Sequence, residues 1–238
     1  MELFWSWAVS TTGFIIVLYL GMVDEVIVIL TGGDNLPTGY VNEFMISALQ
    51  TKVANSFVPI LAVIPFSGKY VEDLKSKFVR FYLVRSSRKS YLLNRISGSF
   101  ACGGTVFFCG GTAAWSIASL FFTPMEKTVS NSGFTTHLLL NLIVLFLVGG
   151  MWSVVGMTIS SFMESQYIAY TSPFIIYYLL FILCERYFPN AALLYTPNWT
   201  NSDVWPFGAL GAAIFLLELT AICGIIFIIR AGKRLQEL

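Results

Sequence analysis

Charge is scarce in this sequence. Charged side chains make up 11% of the 238 residues, where soluble domains carry about 25%. A chain with so few charges has too little polar surface to face water on all sides. Hydrophobic residues make up 56%, and the mean hydropathy is +0.75. A greasy soluble core would share that composition, but long charge-free runs separate the two, since about 18 apolar residues in a row are enough to cross a bilayer. The other absences exclude chemistry. Histidine occurs once, as His137, with no HExxH around it, which excludes a zinc protease of that type. No GxSxG is present, and His137 is too superficial to pair with a serine inside the membrane. No GxxxxGK[ST] occurs, because Gly68-Lys69 and Gly232-Lys233 lack the upstream glycine, so this route of ATP hydrolysis is closed. The cysteines Cys102, Cys109, Cys184 and Cys223 sit in apolar segments without CxxC spacing. They read as small buried hydrophobes rather than disulfides or metal ligands. A net charge of +1 gives no general attraction to nucleic acid.

What is present is a succession of apolar segments. The first runs from about Leu3 to Leu30, of which Leu3 to Met22 is long enough to span, leaving Asp24 and Glu25 at the far interface. Met1–Glu2 has no basic leader, so this segment is expected to persist in the mature protein. The second runs from about Ser56 to Phe66, with a start as early as Phe44, and holds Pro59 and Pro65. The third covers about Ile96 to Phe122, with five glycines that permit close helix contact. The fourth covers Thr136 to Phe162. The fifth covers Pro173 to Leu183, or on to Tyr187, and the sixth Phe207 to Ile229. Residues 188–206, rich in Pro, Asn and Trp, form an outer loop or broken helix. No repeat and no soluble stretch interrupts the series. The expectation is an all-α polytopic membrane protein with six transmembrane helices and a single domain over 1–238.

The distribution of basic residues orients it. Eight lie between the second and third segments and three follow the sixth, while Lys52, Lys127 and Arg186 alone fall on the other side. Eleven against three places both termini and the basic loop in the cytoplasm of a multi-pass cell-membrane protein. Trp5, Trp7, Trp199 and Trp205 lie near segment ends, where aromatic belts form.

The basic loop, about residues 67–95, carries more than charge. Val71, Leu74, Phe78, Phe81 and Tyr82 recur close to helical spacing, so the loop reads as one or two amphipathic helices at the membrane surface. Its sequence resembles the first cytoplasmic loop of type-two ABC exporter permeases. Glu72 and Asp73 match the acidic residues that leave the second span, and Ser76 stands where that family often has glycine. Ser86, Ser87 and Arg88 match a Ser-Arg step, and Tyr91-Leu92-Leu93-Asn94-Arg95 matches the approach to the third span. The chain departs from the family at its start, where a basic amphipathic helix is usual.

The resemblance implies the membrane subunit of an ATP-driven exporter. ATP and Mg would reside on a separate ATP-binding subunit, with no cofactor and no enzymatic activity on this chain. A second permease subunit, identical or related, would complete the pathway. The cargo would be an amphiphile: a peptide such as an antimicrobial peptide, a lipid or a drug-like molecule. Glu72, Asp73, Arg80, Arg85 and Arg88 become the candidate ATPase-coupling residues. Arginines on such a helix can pair with acidic groups in a docking groove. The competing reading is that the basic residues only set topology and bind anionic headgroups.

One more residue stands out. Glu218 lies near the middle of the sixth segment, where a carboxylate marks a pathway, a partner or a proton site. It makes an ion-coupled secondary carrier or channel the alternative function, and a non-transporting scaffold subunit a third. Glu164 reads as a solvated acid at a cytoplasmic turn, and Glu185 and Arg186 as an outer-end pair. Asn198-Trp199-Thr200 is a formal glycosylation sequon, a pattern common by chance.

Overall fold

A computed structural model describes residues 2–32, 36–37, 39–76, 78–79, 82, 87–125, 136–163, 165–188, 193–201 and 204–235. Among them the structure is helical throughout, without strands. The helices are α1 (Glu2–Gly21), α2 (Val23–Gly32), α3 (Tyr40–Gln50), α4 (Lys52–Val63), α5 (Lys69–Lys75), α6 (Arg88–Phe122), α7 (Thr136–Met163), α8 (Gln166–Arg186) and α9 (Ala209–Arg234). Single 3-10 turns occupy Thr123–Met125 and Thr196–Trp199.

Two apolar segments that read as continuous are broken. The first divides at Met22, next to Gly21. A Cβ on Gly21 would come within 2.9 Å of Thr51 Oγ1, so glycine is required there by close packing. Asp24 and Glu25 then fall in the first turn of α2, where the helix dipole favours acids. The second divides at Thr51, which is extended and whose hydroxyl accepts from the Ala54 amide at 3.2 Å, capping α4. The axes of α3 and α4 meet at 66°.

Two helices start earlier than their apolar runs. Ser87 accepts from the Ser90 amide and starts α6 at Arg88. Helix α8 begins at Gln166 and carries Pro173 in its interior. That proline packs where α7 comes closest: a Cβ on Gly156 would lie 2.7 Å from the Ala169 carbonyl and 3.1 Å from Pro173.

Helix α7 is the axis of the bundle. Of its most apolar stretch, 72% is buried, against 28–39% for α1, α6, α8 and α9. It packs most extensively on α6, then on α9, α8 and α4. Glycine sets the α6–α7 distance, because a Cβ on Gly103 would lie 2.7 Å from the Gly149 carbonyl. Three hydroxyls bridge the same contact. Ser67 donates to the Ser153 carbonyl at 2.9 Å, and Ser99 bonds the Ser153 hydroxyl at 2.8 Å.

The five helices α1, α6 to α9 are long and apolar enough to cross a membrane, and the bent α3–α4 pair passes the same criterion jointly. Their outer surfaces carry exposed bulky side chains such as Ile16, Leu20, Leu120, Ile175, Leu179 and Ile222. A belt of that extent suits hydrocarbon and not water.

The tryptophans depart from the sequence reading. Trp199 and Trp205 are buried against neighbouring helices rather than exposed on the outer surface. The loop 193–201 dips inward, so that Trp199 stacks on Trp152 of α7 with ring centres 5.6 Å apart. The Trp199 indole N–H donates to the Leu193 carbonyl and the Trp205 indole N–H to the Asn198 carbonyl, each at 2.8 Å. Thr200 donates to Asn55 of α4 at 2.7 Å, a buried bond that fixes the loop to the bundle.

Candidate functional site

The end of the bundle that gathers the N-terminus of α1, α5, the start of α6 and the end of α9 holds most of the basic residues. It has a hydrophobic core of its own. Tyr70 and Val71 of α5, Val79, Tyr91 and Leu92 of α6, Met157 of α7, and Phe227, Ala231 and Leu235 at the end of α9 are buried together. Tyr70 packs edge-on against Phe227 with ring centres 4.9 Å apart. A seven-residue helix is too short to be stable alone. Burial of its apolar face against three long helices is what holds α5 in place.

A polar clasp reinforces this core. Asp73 of α5 accepts from the Tyr91 hydroxyl at 2.8 Å and forms an ion pair with Arg95, one turn further along α6. The pair is well sheltered, at 14% and 18% side-chain exposure. The Arg95 guanidinium also lies over the rings of Phe66, at 5.5 Å, and Tyr91, at 5.3 Å. One carboxylate therefore joins two positions of α6, and Arg95 joins α6 to the turn that precedes α5.

Beside the clasp is a polar recess of about 250 Å³ lined by Glu2, Ser6, Gly68, Lys69, Glu72 and Tyr170, among others. Lys69 pairs with Glu72 at 2.8 Å and lies 3.8 Å from Glu2. These pairs are partly exposed and contribute little by themselves.

The candidate coupling residues are thus divided by the fold. Asp73 and Glu72 are engaged within the chain. Arg88 stands exposed with Lys89 in the first turn of α6, where no acid accompanies them. Basic residues oppose the dipole at a helix N-terminus, so this turn is not optimised for the fold alone. Lys75 and Phe78 are exposed nearby. Arg80 and Arg85 lie outside the described residues, as does Glu164. The sequence reading counts Arg95 among the basic residues of the loop and places Tyr91 and Arg95 together in the approach to the third span, without giving either a partner. Their spacing of four along a helix is the signal that could have paired them.

Glu218 is not in the bundle interior. Helix α9 buries Ala212, Leu216, Gly224, Phe227 and Ala231. At 100° per residue, Glu218 falls roughly opposite that stripe and is exposed. Its position near mid-helix costs about 3 kcal/mol or more in hydrocarbon. Its side chain does not line a passage within one chain.

Among the described residues no three His, Cys, Asp or Glu side chains converge as a metal site. The four cysteines are unpaired. Between α8 and α9, over α7, runs an apolar groove of about 520 Å³, bounded by Trp152, Ile159, Leu180, Trp199, Phe215 and Cys223, among others. Comparison of the chain with family models, curated proteins and solved structures finds no match in any of the three.

Proposed function

We propose that this chain is the permease subunit of an ATP-driven exporter, working with a separate ATP-binding subunit and a second permease subunit. On this reading α1, the bent α3–α4 pair, α6, α7, α8 and α9 are six spans in the cell membrane. The basic end and both termini face the cytoplasm. Helix α5 with the stretch up to Arg88 is the coupling element.

The observation that supports this reading is how the coupling element is fastened. A force applied at the exposed Arg88, Lys89 and Phe78 reaches the ends of α6, α7 and α9 through a buried core and the Asp73–Tyr91–Arg95 clasp. A loop whose only role was to set topology would need neither. Transmission by rigid elements is what rocking of a membrane domain by an attached ATPase requires. Arg88 and Lys89 supply the charge that acidic groups of the ATPase would meet. Closure of the ATPases would shift α5 and α6 together and open a path between two permease subunits. The apolar groove between α8 and α9 suits the hydrocarbon portion of an amphiphilic cargo. An ion-coupled carrier that uses Glu218 within one chain is not favoured, because that side chain faces away from the bundle.

The test is purification of the chain from its native membranes in mild detergent. The expected result is co-purification, in equal amount, of a protein with a phosphate loop whose ATPase activity falls when Arg88 and Lys89 become Glu. Isolation of the chain without any ATPase would overturn the proposal.

A further inference from the structure

The outward face of α9 carries an acid that a lipid surface does not explain. Ile214, Ile222, Ile225 and Ile229 are all more than half exposed. With Glu218 they follow one another at steps of four, four, three and four along the helix. That spacing is a seam of the coiled-coil kind, with β-branched residues on both sides of a single polar one. Among the described residues Glu218 makes no hydrogen bond or ion pair. Acyl chains offer it no donor. Water is remote, since about 14 Å of helix separates Glu218 from Ala209 and about 18 Å separates it from Arg230.

We infer that this face is an interface between two copies of the chain, in which Glu218 is hydrogen-bonded to Glu218 of the partner subunit across a two-fold axis. Depth decides the occupant. Two copies inserted in the same sense bring both carboxyls to the same level of the bilayer, and an isologous contact pairs each seam with itself. The chemistry is self-complementary as well. A carboxyl that holds a proton donates to its neighbour while accepting through its other oxygen, so the pair needs no third group. The isoleucines above and below it interdigitate, ridges into grooves. A single polar residue in an apolar seam fixes register, and here it fixes which faces meet.

This requires that α9 cross a membrane, and it is independent of any ATPase or cargo. The experiment therefore uses the full chain alone, with the four cysteines replaced by alanine, in vesicles of phosphatidylcholine and phosphatidylglycerol. Single cysteines are placed at Ile214, Ile222 and Ile225, and as controls at Ile16 of α1 and Ile175 of α8, both also exposed. Oxidation is expected to give disulfide-linked dimers from the three α9 positions and at least tenfold fewer from the controls. Glu218→Gln, which retains a donor and an acceptor, is expected to keep the yield. Glu218→Leu is expected to lower it about tenfold while the protein stays monodisperse. Cross-linking at the controls in preference to α9, absence of dimers, or an unchanged yield in Glu218→Leu would overturn the inference. So would capture by these cysteines, in native membranes, of a different membrane protein in place of a second copy. Dimers through α9 with no ATPase co-purifying would overturn the exporter reading and leave this one standing.

Discussion

Replacing Asp73 by alanine tests whether the clasp holds α5 in place. The side chain accepts from Tyr91 and pairs with Arg95, and both charges are more than four-fifths sheltered. Removing the carboxylate leaves a largely buried guanidinium and a phenol hydroxyl without their acceptor. Breaking a fully buried pair from one side costs about 3–5 kcal/mol, and a hydrogen bond to a charged group about 1.5–3 kcal/mol. Residual exposure, and the cation–π contacts that Arg95 keeps with Phe66 and Tyr91, put Asp73→Ala at about 3 kcal/mol. Arg95→Met strands the carboxylate but leaves it the Tyr91 bond, and should cost about 2 kcal/mol. Tyr91→Phe removes one bond, about 1 kcal/mol.

The double variant carries the argument. With both charges gone no buried charge is left unpaired, so Asp73→Ala with Arg95→Met should cost about 3 kcal/mol rather than about 5. Thermal unfolding in detergent reads this. At about 2–4 °C per kcal/mol for a chain of this size, Asp73→Ala lowers the midpoint by about 6–12 °C and the double variant by no more. Additive effects, or an Asp73→Ala protein as stable as the parent, would refute the clasp. On the proposed exporter reading, the same variant is expected to leave ATP hydrolysis by the partner subunit intact while transport falls, because the partner would push on a loosened element.

Other outcomes follow from the geometry. Gly103→Ala places a methyl group 2.7 Å from the Gly149 carbonyl and forces α6 from α7. It should cost about 2–3 kcal/mol, seen as a lower unfolding midpoint, and a fully stable variant would contradict the contact. Arg88→Glu with Lys89→Glu should raise the stability of the isolated chain by about 0.5 kcal/mol, because acids suit a helix N-terminus, and on the proposed reading binding of the ATP-binding subunit drops at least tenfold in a pull-down titration. Thr200→Val leaves Asn55 without its buried donor, and should cost about 1–2 kcal/mol and speed protease nicking within residues 193–201.

The helical character and the positions of the apolar segments were legible from hydropathy alone, because a 20-residue run of apolar side chains has few alternatives. A division at Met22 was legible, since Leu3 to Met22 alone is long enough to span, but the break at Thr51 was not. Gly21 lies close against Thr51, a contact between residues far apart in sequence. Pro173 misled in the opposite direction: a proline suggests a helix start, yet it lies one turn and more inside α8, where α7 packs against it. The tryptophans show a limit of the interfacial rule. Trp199 and Trp205 are indeed near span ends in sequence, but the loop that carries them folds inward, and each indole N–H finds a carbonyl there.

The candidate coupling site divides along the same line. Glu72 and Asp73 drew attention as acids in a basic stretch, and the natural expectation was that they meet a partner or the helix dipole. Asp73 instead meets residues 18 and 22 positions later, a separation that no local spacing rule pairs. Arg88 is the converse case. Among the described residues nothing employs it: it is exposed, it lies at the wrong end of a helix for its charge, and no acid in that turn offsets it. A residue that folding would disfavour has to be accounted for by something outside the chain. The same reasoning applies to Glu218, an acid where the fold offers only apolar surface. In a chain whose helix contacts are set by glycine and small hydroxyls, these two positions are where the described contacts stop explaining the sequence: Arg88 is exposed at the basic end, and Glu218 is exposed near the middle of an apolar helix. On the proposed reading an ATP-binding subunit meets the first and a second copy of the chain meets the second, so the two surfaces are tested with two different partners.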